Sequence, residues 1–111
     1  MEKEEILRYI LPEEFIEYFD LKGIDSLHDR LLFTLDEKYI FPDGYNDNEL
    51  ESKGFTPTND LTDFPIRDRR VILRIRRRKW KDKKTSKTYT RNLDIKAEET
   101  SYTKEFASFL K

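Results

Sequence analysis

The chain contains no cysteine and only one histidine, His28, among its 111 residues. Without cysteine there are neither disulfide bonds nor thiolate metal ligands, and a lone histidine has no second imidazole with which to complete a structural zinc site. We therefore expect no metal and no cofactor. His28 is interpreted as a turn residue.

The sequence also lacks any long apolar run, and its first residues are acidic. A membrane-spanning helix needs about 20 predominantly apolar residues, and a secretory signal needs a basic start followed by an apolar segment. These absences predict a cytoplasmic protein with neither a signal peptide nor a membrane span.

Motifs that carry catalysis are missing as well. The sequence has no glycine-rich phosphate loop and no nucleophile motif. Its glutamate clusters at residues 2–5 and 13–17 stand where helices are predicted to begin, and the positive end of a helix dipole favours acids there. We interpret these clusters as solvated helix faces, so we expect no catalytic residues and a protein that is not an enzyme.

Charge and aromatic side chains dominate what is present. Charged residues make up 41% of the chain and hydrophobic residues 36%, and there are eight Phe and six Tyr. A chain of this length forms at most one small domain with a modest core. The aromatic content provides enough large apolar surface for that domain to fold.

The charges are divided along the chain. Residues 67–91 hold 13 basic side chains and only two acids, a net charge of +11, whereas residues 1–66 hold six basic and 17 acidic side chains, a net charge of −11. A basic segment of this density, with Trp80 and Tyr89 among its charges, is typical of a surface that meets phosphate.

The apolar spacing of the first third predicts two short helices. Apolar residues recur at helical spacing over residues 2–10, which predicts a first helix, and Pro12 suits the first turn of a second helix over Pro12 to Phe19. Gly23 is expected to close the second helix as a left-handed cap.

Alternation of apolar and polar residues begins after these helices. Leu31, Phe33 and Leu35 alternate with their neighbours, which predicts a strand that forms a hairpin with residues 24–27 through a turn at residues 28 and 29. Residues 41–60 collect Pro, Gly and Asn with little periodicity, so we expect a long connection there.

The second half of the chain predicts a meander and a helix. Residues 61–66 are expected to form a strand, a turn comes next at Arg67 and Asp68, and Arg69 to Trp80 is predicted to be one long strand. Residues 81–87 are turn-like, residues 88–93 pair back antiparallel, and Thr103 is the expected N-cap of a final helix.

The predicted fold class is therefore α+β. An acidic subdomain, residues 1–57, contains the N-terminal helical pair and the small β-hairpin. A basic part, residues 58–111, contains an antiparallel β-meander and a C-terminal helix, and it is the part expected to bind DNA.

Alternate residues of an extended strand share one face, so Arg70, Arg74, Arg76 and Arg78 are expected to project together, near Trp80. A two-stranded ribbon fits a DNA major groove, where arginines bind phosphates or guanine edges. Trp80 and Tyr89 are expected to pack against each other across the strands rather than to stack on bases. The predicted nucleic-acid-binding residues are Arg70, Arg74, Arg76, Arg77, Arg78, Lys79, Lys81, Lys83, Lys84, Lys87 and Arg91.

An alternative interpretation of the same charges is structural. The arginines could pair with the acids of residues 1–66 and form a solvated, self-neutralised face. Separate blocks of opposite charge are harder to attribute to local ion pairs than interspersed charge, and each surface pair contributes only about 0 to 1 kcal/mol.

The order of residues in the second half resembles that of a known family. Asp63 to Ile66 reads Asp-Phe-Pro-Ile, Arg69 to Trp80 reads Arg-Arg-Val-Ile-Leu-Arg-Ile-Arg-Arg-Arg-Lys-Trp, and Thr100, Thr103 and the apolar residues 106–110 come after them. This stretch resembles the N-terminal region of bacterial insertion-sequence transposases. The whole chain is similar to the N-terminal region protein of ISAon-type elements, more specifically over residues 63–111 than over residues 1–62.

In that family the stretch belongs to a zinc ribbon that precedes a helix-turn-helix and a catalytic domain. Here lysines, Lys81 and Lys84, stand near the positions of the family's cysteine pair, so the resemblance implies a zinc-ribbon-like meander without metal. Its stability is expected to come from apolar residues instead. These residues are Phe64, Val71, Leu73, Ile75, Trp80 and Leu93.

The resemblance implies a DNA-binding role within a transposition system. The expected ligand is the terminal inverted repeat of an insertion sequence, and the expected partner is a separately encoded or downstream catalytic part of the transposase. A protein-interaction module that docks this catalytic part or another partner is the alternative. A small nuclease is a third interpretation, but the basic segment supplies no set of carboxylates for a divalent metal.

Overall fold

The computed structural model describes residues 3–42, 44–93, 95–96 and 101–110. These residues form a small α+β protein with a C-terminal helix, as predicted. The elements are α1 (Lys3–Leu7), α2 (Glu13–Tyr18), β1 (Phe19–Ser26), β2 (Arg30–Glu37), β3 (Leu50–Phe55), β4 (Asn59–Ile66), β5 (Arg69–Arg76), β6 (Arg78–Asp82), β7 (Thr88–Thr90) and α3 (Lys104–Leu110). None of the described helices has the length and apolar composition that a membrane crossing requires.

The larger of two sheets has four strands in the order β1-β2-β5-β4. β1 pairs antiparallel with β2, and β4 pairs antiparallel with β5, but the central strands β2 and β5 run parallel. The antiparallel pairing predicted within residues 58–111 is present in β4–β5 and in β6–β7, but the parallel pairing of β2 with β5 was not predicted, and it makes this sheet mixed. Alternation within a strand reports which face is buried and does not report the direction of a strand far away in sequence.

Both predicted hairpins are confirmed in this sheet. β1 and β2 are joined through His28 and Asp29, where the Leu27 amide donates to the Arg30 carbonyl at 2.9 Å. β4 and β5 are joined by Arg67 and Asp68, which have φ angles of 50° and 65°. Positive φ at both central residues is typical of a tight primed turn, which usually selects Asn and Gly.

One face of the four-stranded sheet forms the core. Val71, Leu73 and Ile75 alternate along β5 and are buried, and the buried residues Phe33 and Leu35 lie on β2. The helical segments cover this face. Their buried apolar residues are Leu7, Leu11, Phe15 and, at the start of β1, Phe19.

The N-terminal helices are shorter than predicted. α1 ends at Leu7, and α2 ends at Tyr18 because Phe19 is already extended, with φ −128° and ψ 147°. The prediction of Gly23 as a helix cap is wrong, since Gly23 lies within β1 where the register with β2 shifts. Apolar spacing is ambiguous at this point, because a buried Phe19 fits both the end of the helix and the start of the strand.

The predicted long strand from Arg69 to Trp80 is divided. It belongs to the four-stranded sheet up to Arg76, and at Arg77 its backbone carbonyl accepts from the Thr56 amide at 2.8 Å. β6 then enters a second sheet of three strands in the order β3-β6-β7. The break therefore coincides with a change of pairing partner, which has no local sequence signal.

The connection predicted over residues 41–60 is wrong, because it contains β3, which pairs antiparallel with β6. Gly54 has a φ of 86° where this pairing shifts between Ser52 and Phe55, so the strand shows no clean alternation. β1, β2 and β3 precede residue 58 and β4 to β7 come after it, so both predicted segments contribute strands to both sheets.

Trp80 forms the centre of a small aromatic cluster on the three-stranded sheet. Its side chain is fully buried, and its ring centroid lies 5.4 Å from that of Tyr39 and 5.0 Å from that of Phe41. Trp80 is directly opposite Tyr89 in the pairing of β6 with β7. The ring centroid of Tyr89 lies 6.0 Å from that of Tyr45. Trp80 is packed within the protein, as predicted, but its ring neighbours are Tyr39 and Phe41, and the ring neighbour of Tyr89 is Tyr45.

The C-terminal helix is attached to the edge of β4. The Thr103 amide donates to the Thr62 carbonyl at 2.9 Å, and the Thr103 hydroxyl donates to the buried Asp63 carboxylate at 2.8 Å. The same hydroxyl accepts from the Phe106 amide at 3.4 Å, which confirms Thr103 as the N-cap.

Candidate nucleic-acid interface

Arg70, Arg74 and Arg76 of β5 alternate with the buried Val71, Leu73 and Ile75 and so lie on the outer face of the four-stranded sheet, opposite the core. Arg74 and Arg76 are each held by a cross-strand carboxylate in a two-bond contact. Arg74 donates to Asp60 at 2.9 and 3.0 Å, and Arg76 donates to Asp36 at 2.8 and 2.6 Å. The Arg76 hydrogen bond holds the pKa of Asp36 below its usual value despite partial burial, and each carboxylate raises the pKa of its arginine.

Arg70 is on the same strand but has a different environment. Its side chain is exposed and forms no ion pair within the described part of the chain. It lies at the start of β5, about 20 Å along the strand from Arg76 at roughly 3.3 Å per residue. Arg70 is therefore available to a ligand, but at the opposite end of the strand from β6.

Arg78 is stacked on aromatic rings. Its guanidinium lies 4.6 Å from the Phe55 ring centroid and 5.0 Å from that of Tyr39, and Arg76 lies 4.3 Å from the same Phe55 ring. Arg78 also donates to the Ser52 hydroxyl at 2.9 Å. Arg76 and Arg78 thus share a face, as predicted, and cation–π contacts hold both against β3.

Arg77 and Arg91 converge on one buried carboxylate, that of Glu37, which is 2% exposed. Arg77 Nε donates to Glu37 Oε1 at 2.9 Å, and the Arg78 amide donates to the same oxygen at 3.0 Å. Arg91 Nε lies 3.6 Å from Glu37 Oε2. This buried charge cluster connects the end of β2 with the residues that flank β6 and β7, so Arg77 and Arg91 act within the fold.

The lysines are distributed differently from the arginines. We use the name lysine hairpin for β6, β7 and their connecting turn, with Lys79, Lys81, Lys83, Lys84 and Lys87. Lys79, Lys84 and Lys87 are exposed, and no ion pair involves them among the described residues. Lys81 lies 3.9 Å from Glu51, and Lys83 donates to the Asp47 carbonyl.

The turn of the lysine hairpin is fixed by Asp82. Its carboxylate accepts from the amides of Lys84 at 2.8 Å and Thr85 at 3.1 Å, and the Ser86 amide donates to the Asp82 carbonyl at 2.8 Å. These bonds join Asp82 to backbone amides of the turn. The side chains of Lys84 and Lys87 are therefore not needed to hold the turn and can project into solvent.

The aromatic residues of the basic segment are occupied by the protein itself. Trp80 is fully buried and therefore offers no ring face to a base. Tyr89 is half-buried, and burial raises the pKa of its phenol to about 12, with Tyr45 adding to the shift. Base stacking by these residues is not supported by their positions.

Carboxylates and histidine are not gathered into a metal site in the described part of the chain, where no group of three or more such ligands lies close together. His28 is exposed in the β1–β2 turn. A cavity of about 510 Å³ beside α2 is lined by Arg8, Glu13, Ile16, Glu17 and Lys38.

Asp63 is a buried acid with a different role. Burial raises the pKa of its carboxyl, although the hydrogen bond from Thr103 acts in the opposite direction. Because Thr103 is the N-cap of α3, Asp63 links β4 to the start of this helix. The sequence pattern drew attention to Asp63 only through the family resemblance.

Sequence reasoning did not identify the individual acids that hold the arginines, although it offered such pairing as an alternative. Asp36, Glu37 and Asp60 all lie in residues 1–66, and they bind Arg74, Arg76, Arg77 and Arg91. The strand register would have revealed two of them, because Asp36 is opposite Arg76 and Asp60 is opposite Arg74.

No protein family model, curated protein or solved structure matches the chain.

Proposed function

We propose that the chain binds the phosphate backbone of DNA through the lysine hairpin, as the non-catalytic N-terminal region of an insertion-sequence transposase. In this role it positions the terminal inverted repeats of the element for a catalytic part that lies downstream or is separately encoded. The observation that carries the proposal is the contrast between Arg76 and Arg77, which carboxylates hold, and the exposed Lys79, Lys84 and Lys87 of the lysine hairpin, which have no ion pair among the described residues.

Lysine and arginine suit different kinds of DNA contact. Lysine presents a compact, hydrated charge that binds phosphate as a point charge, whereas arginine presents the planar fork that reads guanine edges. A contact surface made of Lys79, Lys84 and Lys87 therefore favours backbone binding, which fixes orientation and register more than sequence.

The buried charge cluster of Glu37, Arg77 and Arg91 supports this role because it holds the lysine hairpin in place. Glu37 on β2 holds Arg77 before β6 and Arg91 after β7, so it fixes both ends of the lysine hairpin to the four-stranded sheet. In the proposal, these arginines position the lysines and do not themselves contact DNA.

A salt titration tests the proposal with the full chain. Element-end and scrambled duplexes are titrated by fluorescence anisotropy at several salt concentrations. If the three unpaired lysines, Lys79, Lys84 and Lys87, neutralise three phosphates, log affinity falls with log salt at a slope of about −2.7. A complex that does not form at low salt, or that is insensitive to salt, would contradict the proposal.

Matched lysine variants test the location. Lys84→Gln with Lys87→Gln removes two exposed charges from the hairpin turn, and Lys96→Gln with Lys104→Gln removes two exposed charges elsewhere. The slope should lose about 1.8 units in the first variant and stay unchanged in the second. Equal losses would contradict a DNA contact centred on the lysine hairpin.

An exposed aromatic cluster favours protein docking as a second candidate function. The rings of Phe106 and Phe109 lie 5.1 and 5.3 Å from that of Phe64, and Phe109 is 69% exposed. Exposed apolar clusters often mark protein interfaces. If α3 docks the catalytic part, Phe109→Ser should abolish that association and leave DNA affinity unchanged.

A further inference from the structure

Arg74 and Arg76 bind their carboxylates with the donor geometry that also binds phosphate. Each guanidinium uses Nε and one Nη to contact both oxygens of one aspartate, at distances of 2.6 to 3.0 Å. This two-bond fork fits a carboxylate and a phosphodiester equally well. Asp60 and Asp36 therefore occupy positions that phosphate oxygens could occupy.

The two arginines lie next to each other on an open face. They are two residues apart on β5, which places them on the same side of the sheet about 6.8 Å apart. Their side chains are 42% and 41% exposed although both are paired. Leu32 and Ile72, on the same face, are only half-buried.

The two carboxylates differ in how firmly they are held. Asp60 is 44% exposed and Asp36 only 10% exposed. An exposed ion pair contributes little to stability because water competes for both partners. A phosphate should therefore displace Asp60 from Arg74 more readily than it displaces Asp36 from Arg76.

The position of the pair relative to the lysine hairpin makes displacement possible. Arg76 is three residues before Lys79, or about 10 Å at roughly 3.3 Å per residue. Lys79 alternates with Arg78 along β6 and so faces the opposite side of that strand, but a duplex held by the turn lysines and lying along the Arg76 face would present its phosphates to Arg74 and Arg76 at a high local concentration. The intramolecular aspartates compete with those phosphates and weaken the contact.

We infer that Arg74 and Arg76 form a second binding site for DNA backbone phosphates on the outer face of the four-stranded sheet, and that Asp60 and Asp36 mask it. The inference rests on the proposed DNA-binding function, and it adds a site whose occupancy the protein's own carboxylates restrict. Asp60 is the more exposed of the two masking carboxylates, and Asp36 is the more buried.

The test compares two aspartates on the same sheet face. Asp60→Asn removes the mask of Arg74, while Asp25→Asn removes an equal charge that acts on Arg74 only at a distance. Affinity for a duplex of about 20 base pairs is measured by fluorescence anisotropy at one salt concentration. Thermal unfolding followed by circular dichroism checks that both variants fold.

We expect Asp60→Asn to tighten binding by about fivefold more than Asp25→Asn. In an Arg74→Gln background this extra gain should disappear, because there is no guanidinium to release. Equal gains in the two variants, or an extra gain that persists without Arg74, would overturn the inference.

The outcomes also separate this inference from the proposed function. If the lysine variants weaken binding but Asp60→Asn behaves like Asp25→Asn, the lysine hairpin binds DNA and the masked site is wrong. If Asp60→Asn gives its extra gain while the lysine variants have no effect, the masked site is right and the lysine hairpin is wrong. If neither the wild type nor Asp60→Asn binds the duplex at low salt, both are wrong.

Discussion

Replacing Glu37 by glutamine should destabilise the protein by about 3 kcal/mol, because two arginines then lose their buried counter-charge. Glutamine preserves the size of the side chain and an oxygen that accepts from the Arg77 and Arg78 donors, which lie 2.9 and 3.0 Å from the carboxylate. What it removes is the negative charge beside Arg77 and Arg91, whose side chains are only 19% and 9% exposed.

The magnitude is set by this burial. Removing one partner of a buried ion pair costs about 3 to 5 kcal/mol, and the partial exposure of Arg77 places the expected cost at the lower end. Domains of this kind have a total stability of about 5 to 15 kcal/mol, so the loss is large enough to measure without unfolding the chain outright.

Urea unfolding followed by Trp80 fluorescence and by circular dichroism measures the effect. Asp29→Asn is the matched control, because it breaks the exposed Asp29–Arg30 pair, whose side chains are 62% and 42% exposed. That change should cost less than about 1 kcal/mol. A Glu37→Gln variant as stable as the control would refute the view that the buried charge cluster holds the two sheets together.

The same variant should also show where stability is lost. Glu37 connects β2 with both ends of the lysine hairpin, so amide hydrogen exchange should accelerate more in β6 and β7 than in β5. Uniform acceleration across the chain would indicate that the cluster acts on the whole fold and does not fix the hairpin specifically.

Three further predictions concern the helix anchor and the β4–β5 turn. Thr103→Val removes the hydroxyl that binds Asp63 at 2.8 Å and caps α3, so the free energy of unfolding should fall by about 2 kcal/mol in urea titrations, while Thr103→Ser should retain most of it. Burial raises the pKa of Asp63 above its usual value of 3.8, so protonation of its carboxyl stabilises the folded state. This stabilisation is fully present below about pH 3.8 and is lost as pH rises through the folded-state pKa. The stability of the wild type relative to Asp63→Asn should therefore increase as pH falls from about 7 toward 4, and a constant difference would contradict this linkage. Replacing Arg67 and Asp68, at φ 50° and 65°, by Asn and Gly should raise the stability by about 1 kcal/mol in thermal melts, because these residues adopt positive φ with less strain.

Local patterns in the sequence predicted the parts of the fold that depend on nearby residues. The turn at Arg67 and Asp68, the hairpin through His28 and the N-cap at Thr103 are each determined within a few residues, and all are confirmed. The alternation along β5 also placed Arg74 and Arg76 on a common face opposite the core.

Features that depend on distant residues were not predictable in the same way. β3 has no alternation of its own, and it forms because β6 supplies its hydrogen bonds and the buried Trp80 packs nearby. The division of the long strand at Arg77 likewise results from a change of pairing partner.

Prediction of the candidate site was limited in the same way, because its contacts depend on distant residues. The sequence shows the cations as one group, but the distinction between held arginines and exposed lysines depends on strand register and on one buried acid, Glu37. A pattern of like charges contains no information on which of its members already has a partner.

The parallel pairing of β2 and β5 has a consequence for the order of folding. Each flanking hairpin closes through a short turn, whereas Leu31 and Val71, opposite each other in the parallel pair, lie far apart in sequence. Short loops close far faster than long ones, and long-range pairing dominates folding time. The two hairpins should therefore form early, and their docking should be the slow step. The three-stranded sheet, whose first strand lies within the loop that this docking closes, should form with it or after it.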